Sequence, residues 1–404
     1  MNNVIQDKKL PLLDLLFIFY YAYLAINPKM NVQFSLLNFV VIEIIYAIYV
    51  YMVDNSLRRI IKTLFFGAVI IALLLTFATE IVTVDANAED REVKSLISMF
   101  HLFFSMCFPL LMSYRLINNG TQKQRLIAML FVFSVFFVII QVTWVELQIN
   151  ARILKSQMEA NIDGDNALIG GYHFVCASPI LVSALFYSAM RSKQKMVRFC
   201  LYGLSAFFVV FLSKSMYSIA LLSGVLGIAT CFYSQSGHRY KTLYLAAPFI
   251  VWFLAPMLLT FVISILDEGD TKLRMTELYN FFTTGDLGDD DLAARFDLYG
   301  KSILAFVTSP IWGNFHLGFN PHSTAFELLA RIGLLGFIPF YMMLKGSFSL
   351  MHKTLSSWSV LPCLSSFVLM CLTNPVHASL PLNISLWFMA PLLYNFIDNF
   401  NKKI

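Results

Sequence analysis

Charge is scarce in this 404-residue chain, where only 13% of residues are Asp, Glu, Lys or Arg, against about 25% in soluble domains. With 58% hydrophobic residues and a mean hydropathy of +0.70, that scarcity excludes an ordinary soluble fold, which could not cover so apolar a composition. Concentrated positive charge is missing too. The 29 Lys and Arg outnumber the 24 Asp and Glu only slightly and lie scattered between apolar runs, so their information is topological and no nucleic-acid partner is indicated. Paired cysteines are also absent. Cys107, Cys176, Cys200, Cys231, Cys363 and Cys371 fall in or beside apolar segments, with no CxxC and no His/Cys cluster. They read as small packing residues, so neither zinc nor a disulfide framework is indicated. Leu10 to Ile26 does not read as a cleavable leader, since it carries Asp14, lacks a small-residue cleavage site and precedes many further apolar runs. No internal repeat is visible.

What the chain has in abundance is apolar runs long enough for helices that cross a bilayer. They lie near 10–26, 34–53, 63–82, 96–114, 126–148, 173–190, 199–212, 216–233, 242–266, 324–344, 359–372 and 384–397. The expected fold is therefore all-α: a polytopic membrane protein with about 12 transmembrane helices. Basic residues such as Arg58, Arg59, Arg115, Arg125, Lys193 and Arg198 would fall on the same side as both termini, which the positive-inside rule assigns to the cytoplasm. The opposite side carries the longest polar stretch, Asp267 to Ser323. This divides the chain into helices over 1–266, an extracytoplasmic loop over 267–323, and final helices with a cytoplasmic tail over 324–404. Within the loop, Lys272 to Phe282 and Leu292 to Val307 have helical patterns, the second behind an Asp289-Asp290-Asp291 cap. Leu292, Phe296, Tyr299, Ile303 and Phe306 share one face, so that helix should lie at the membrane surface and pack on the spans.

Residues able to carry chemistry concentrate between Arg295 and Phe340. An arginine opens the interfacial helix, a Pro/Gly/Asn-rich turn region follows, and His322 stands just before a span. Thr324-Ala325-Phe326-Glu327 fits a capping box, which puts His322 beside a helix N-terminus. The positive end of the helix dipole disfavours imidazolium there, leaving a neutral ring able to accept a proton. A lone histidine in a loop is more often simply hydrogen-bonded, so its surroundings must decide.

Those surroundings resemble the bacterial O-antigen polymerase (Wzy) and O-antigen ligase superfamily. The matching pattern is Arg295 with Tyr299 four residues on, the Ser309-Pro310-x-x-Gly313 turn, and His322-Ser323 before a span with Gly333 and Gly336. It covers about fifty residues; where a short Gly-x-Gly is common in the family, this chain has Gly313-Asn314-Phe315-His316-Leu317-Gly318. A second match is Phe211-Leu212-Ser213-Lys214-Ser215, where family members usually have Ser-Arg; Lys214 keeps the charge but loses the bidentate fork. The resemblance implies a GT-C-like membrane glycosyltransferase. It would act on the periplasmic face of the bacterial inner membrane without cofactor or metal. His322 would be the general base, Arg295 and Lys214 would bind the diphosphate, and Tyr299 would contact substrate. Donor and acceptor would be undecaprenyl-diphosphate-linked oligosaccharides, with a polysaccharide chain-length regulator as a candidate partner. A neutral histidine suits deprotonation of an attacking hydroxyl, and two cations suit a departing diphosphate.

Other groups carry plainer readings. Asp286, Asp289, Asp290 and Asp291 read as a solvated, helix-capping loop rather than a cation site, and Asp85, Glu89 and Asp90 as a solvated loop. His377, in the last outer loop, faces the same side as His322 and could line an acceptor groove or be a plain loop residue. Glu327 and Arg331 read as an intrahelical pair. Asp14, Glu43, Glu80 and His101 stand one per span, fit for snorkelling or helix pairing, or for the ion pathway of a flippase or transporter. A ligase joining glycan to lipid A-core is the nearest alternative chemistry; the short turn between Gly313 and His322 favours the polymerase.

Overall fold

The computed structural model describes residues 10–26, 36–82, 96–146, 172–215, 218–235, 253–265, 291–314, 323–355 and 360–402, with isolated helical positions between 272 and 284. Helices occur within every apolar run, in the order α1 Leu12–Ile26, α2 Leu36–Val53, α3 Arg58–Val82, α4 Leu96–Cys107, α5 Pro109–Asn119, α6 Gln122–Glu146 and α7 Tyr172–Arg191. There follow α8 Lys195–Lys214, α9 Ser218–Gln235, α10 Phe253–Ile265, α11 Asp291–Thr308, α12 Thr324–Thr354 and α13 Leu361–Thr373. The chain ends with α14 Leu380–Ile384, a π turn Ser385–Met389 and α15 Ala390–Asn401. Among the described residues there is no strand. Among the described residues, seven helical segments are long and apolar enough to cross a membrane: Arg58–Ala78, Leu96–Asn119, Gln122–Trp144, His173–Arg191, Lys195–Lys214, Thr324–Thr354 and Leu380–Asn401. α1, α2, α9, α10 and α13 are apolar but shorter.

The bundle is built around α7, which packs against α8, α9, α13 and the C-terminal segment from α14 to α15. α3 packs on α12 and α4, while α1 packs on α6. Large apolar side chains at the periphery, such as Leu16, Phe66, Leu73, Phe199, Val210, Phe261 and Tyr341, are exposed. A soluble protein would not leave so many uncovered; in a membrane they face acyl chains. The core also buries large apolar side chains, Phe103, Phe104, Phe367 and Trp387 among them, and beside these it holds small and polar groups that let helices approach. Ser183 and Ser366 share a hydrogen bond of 2.7 Å, and the Ser223 hydroxyl donates to Ser366 O at 2.8 Å, joining α7, α9 and α13. Ser113 donates to Trp387 O at 2.6 Å, giving a partner to a carbonyl of the π turn, whose ladder departs from the α-helical one.

Two buried networks tie the N-terminal helices. Arg115 on α5 donates to both carboxylate oxygens of Asp14 on α1, at 3.0 and 2.6 Å, and Tyr46 of α2 donates to the same Asp14 at 2.9 Å. Arg115 also reaches Asp54 at 3.5 Å. Arg115, one residue beyond the expected 96–114 run, is thus inside α5 and buried, where an arginine needs an acid from another helix. The second network joins Tyr21, Glu43 and His101, with Tyr21 donating to Glu43 at 2.8 Å and His101 Nδ1 standing 3.1 Å from the other carboxylate oxygen. The Glu80 side chain lies outside the described residues.

The cysteines pack as expected except Cys200, which is exposed. α12 also runs on to Thr354 rather than ending near 344. The polar signal Lys345-Gly346-Ser347 does not stop it, because Gly346 and Ser347 fall on the side covered by neighbouring helices; a Cβ on Gly346 would meet Ile60 of α3.

Candidate functional site

The Ser-Pro-x-x-Gly turn and the Gly-x-x-Gly step, separate in the chain, form one hydrogen-bonded unit. α12 is broken at Gly333, whose φ of 54° and ψ of −152° are outside the helical region and almost closed to any residue but glycine. In an unbroken helix the Leu334 N–H would donate to Ala330 O and Leu335 to Arg331 O. Here Leu334 donates to Pro310 O at 2.9 Å and Leu335 to Ile311 O at 3.2 Å, while Ala330 O accepts from Asn314 N at 2.9 Å. The turn therefore replaces bonds the helix gives up. Gly313, at φ 71°, lies so close that a Cβ there would stand 2.5 Å from the Arg331 carbonyl. Within the turn, Gly313 N donates to Ser309 O at 2.8 Å.

α11 feeds this turn and packs along α12. Tyr299 is half-buried with its ring 5.1 Å from that of Phe326, so it lines the α11–α12 seam. Arg295 is a helical position of α11, but its side chain lies outside the described residues, as do those of Leu292 and Phe296. The packed face of α11 differs from the sequence expectation. Ser302 and Ala305 are buried, whereas Ile303, Leu304 and Val307 are exposed. In lipid, small residues mediate helix contact and large apolar ones can face outward, which inverts the soluble-protein logic that put Ile303 inside.

At the start of α12 the cap is one residue earlier than the capping box suggested. The Ser323 hydroxyl accepts from Phe326 N at 3.2 Å, and the helix begins at Thr324. Glu327 pairs with Arg331 at 2.8 Å, as the i,i+4 spacing anticipated. His322, immediately before this cap, lies outside the described residues, as do residues 315–321. The ends of that segment are nonetheless held: Asn314 is bonded to Ala330, and Ser323 caps α12 and donates to Cys371 O at 3.3 Å.

His377 is buried beside the same helix start. Its Nδ1 shares a 3.0 Å hydrogen bond with Thr324 Oγ1, and its ring stacks on Phe103 of α4 with centroids 4.8 Å apart. Thr324 also donates twice to Asn374 O, from N and from Oγ1, each at 3.2 Å. His377 thus holds an anchor of α12 in this structure, two residues after His322. No pattern in the sequence pointed to Phe103, Thr324 or Asn374 as its partners, because those contacts join distant parts of the chain.

Lys214 ends α8 and is half-buried. Its Nζ donates to Trp144 O at 2.6 Å and lies 4.7 Å from the centre of the Trp144 ring, so its charge is engaged on the α6–α8 side. The Asp286–Asp290 cluster, the Lys272–Phe282 pattern as a continuous helix, and Asp85, Glu89 and Asp90 fall outside the described residues.

Fold and site together define a polytopic helical membrane protein whose late helix is broken and refilled by a turn from the preceding segment. Compared with protein-family models and with curated proteins, the chain has no match.

Proposed function

We propose that this chain is a metal-independent membrane glycosyltransferase: a polymerase of O-antigen or other surface polysaccharide on the periplasmic face of a bacterial inner membrane. It transfers glycan, with inversion, from undecaprenyl diphosphate to the non-reducing end of a lipid-linked repeat unit. The observation that carries this reading is the Ser309–Asn314 turn seated in the break of α12 at Gly333. Three of the elements on which the family resemblance rests, the helix of Arg295 and Tyr299, the turn and the glycine step, meet there as one unit, while Lys214 is engaged with Trp144 on the α6–α8 side. Catalysis by a positioned base needs such rigidity, since small misplacements are costly. Asn314 and Ser323, which flank the stretch containing His322 in the sequence, are both hydrogen-bonded, and a histidine directly before a helix start in the chain suits a neutral, proton-accepting role. Arg295 and Lys214 are the assigned diphosphate ligands, Lys214 reaching the phosphate by exchanging its bond to Trp144 O. About twelve spans belong to the same proposal, the five shorter apolar helices completing the seven long ones.

Paired membrane-buried charges favour a second reading, a translocase for lipid-linked precursors. Asp14–Arg115 and Glu43–His101 are buried pairs between helices, and α12 is discontinuous, as in many transporters. One experiment separates the two. Purified protein is incubated with a defined undecaprenyl-diphosphate repeat unit, alone and with lipid A-core, beside His322→Ala. A ladder of longer lipid-linked glycans, lost in the variant, is the expected result; transfer only to lipid A-core would make the protein a ligase. Full activity in a folded His322→Ala protein would remove the assigned base. Labelled lipid crossing a proteoliposome membrane, with no glycan product, would replace the enzyme by the translocase.

A further inference from the structure

We propose that the end of the bundle opposite His377 carries a binding site for the phosphate of an anionic lipid headgroup. A cavity of about 540 Å³ opens there, lined by Arg191 and Lys193 at the α7–α8 turn and by Asp398, Asn401 and Lys402 at the end of α15. Its walls are fixed across distant parts of the chain. Asn401 Nδ2 donates to Arg191 O at 2.9 Å, Asn401 Oδ1 accepts from Lys193 N at 2.9 Å, and Arg191 pairs with Asp398 at 3.0 Å. Three cations face one carboxylate, so the lining keeps a positive surplus. Because Asp398 is matched to Arg191, that surplus is carried by Lys193 and Lys402, both exposed at the mouth.

The position in the bilayer fits a lipid. Met196 and Phe199, on the first turns of α8 just after Lys193, are 70% and 76% exposed, so acyl chains cover this helix immediately beyond the basic cluster. Ammonium groups one turn away then lie at headgroup depth, where each is worth about 1 kcal/mol toward an anionic surface. A basic pocket walled by helix ends and opening at that depth suits a phosphodiester better than a carboxylate ligand, since several donors can share its oxygens. The phosphate could also belong to a soluble compound, and the chemistry at the lysines would be the same.

The test uses the full chain in neutral detergent, with native mass spectrometry after addition of phosphatidylglycerol or phosphatidylcholine. The parent should retain phosphatidylglycerol preferentially. Lys193→Gln combined with Lys402→Gln should weaken retention by about 30-fold, from roughly 1 kcal/mol at each lysine. Lys345→Gln, which removes a cation stacked on Tyr341 outside the lining, should retain it as the parent does. Asp398→Asn should tighten binding, an outcome that misfolding cannot imitate. Competition by inorganic phosphate would assign the phosphate site to a soluble ligand; retention unaffected by phosphate would assign it to lipid. Equal retention in the parent and the double lysine variant, or an equal loss in Lys345→Gln, would overturn the proposal.

Discussion

Replacing Gly333 by alanine tests whether the break in α12 is a built joint. The backbone there, at φ 54° and ψ −152°, is a conformation that costs a non-glycine residue about 1–3 kcal/mol. A Cβ would also stand 2.5 Å from Ile311 O and 2.6 Å from Gly313 N, and because both are backbone atoms the turn must withdraw. Withdrawal forfeits the hydrogen bonds at Leu334, Leu335 and Asn314, each worth about 0.6 kcal/mol between membrane helices. The total is roughly 3–5 kcal/mol. Thermal unfolding in detergent, followed with a thiol-reactive dye in a Cys200→Ser background, reads this directly, since the other five cysteines are buried. The apparent Tm should fall by roughly 4–6 °C. Gly203→Ala is the control, because a Cβ there meets nothing within 4 Å and alanine favours a helix interior by about 1 kcal/mol. If Gly333→Ala unfolds at or above the temperature of that control, the turn is not holding the break and the site argument fails with it.

Arg115→Gln should lower stability by about 3–5 kcal/mol, because it strands the Asp14 carboxylate in a buried place; adding Asp14→Asn should recover part of the loss. Strict additivity of the two in a thermal double-mutant cycle would mean that the ion pair is not the linkage between α1 and α5. Gly227→Ala should cost about 1–3 kcal/mol by overpacking, since its Cβ would fall onto the hydroxyls of Ser183 and Ser366. Removing one obstacle with Ser183→Ala should soften that effect, and a double variant no more stable than Gly227→Ala would refute the close α7–α9–α13 approach.

How much of this was legible depended on the range of the interactions involved. Helices α1 to α9 start and stop within a few residues of the apolar runs, because hydrophobic length is local and a bilayer demands it. The Glu327–Arg331 pair was legible for the same reason: its spacing is a property of one helix. The packed face of α11 was misread, since burial of Ser302 and Ala305 depends on what α12 presents to them. The Ser323 cap missed by one residue, as competing hydroxyls at consecutive positions can each cap and the surrounding bonds choose between them. The partners of Arg115, Asp14 and Asp54, were not legible because they lie far away in the chain.

Composition and periodicity alone determined that this is a helical membrane protein and roughly where most of its helices lie. Those are consequences of backbone polarity in a medium without water, which every residue feels separately. Only tertiary structure decided that the Ser309–Asn314 turn supplies the bonds lost at Gly333, that His377 holds Thr324, and that Asp14 neutralises Arg115. Each of these requires two distant segments to meet at hydrogen-bond distance, and in lipid an unmatched polar group is costly enough to select the packing in which they do.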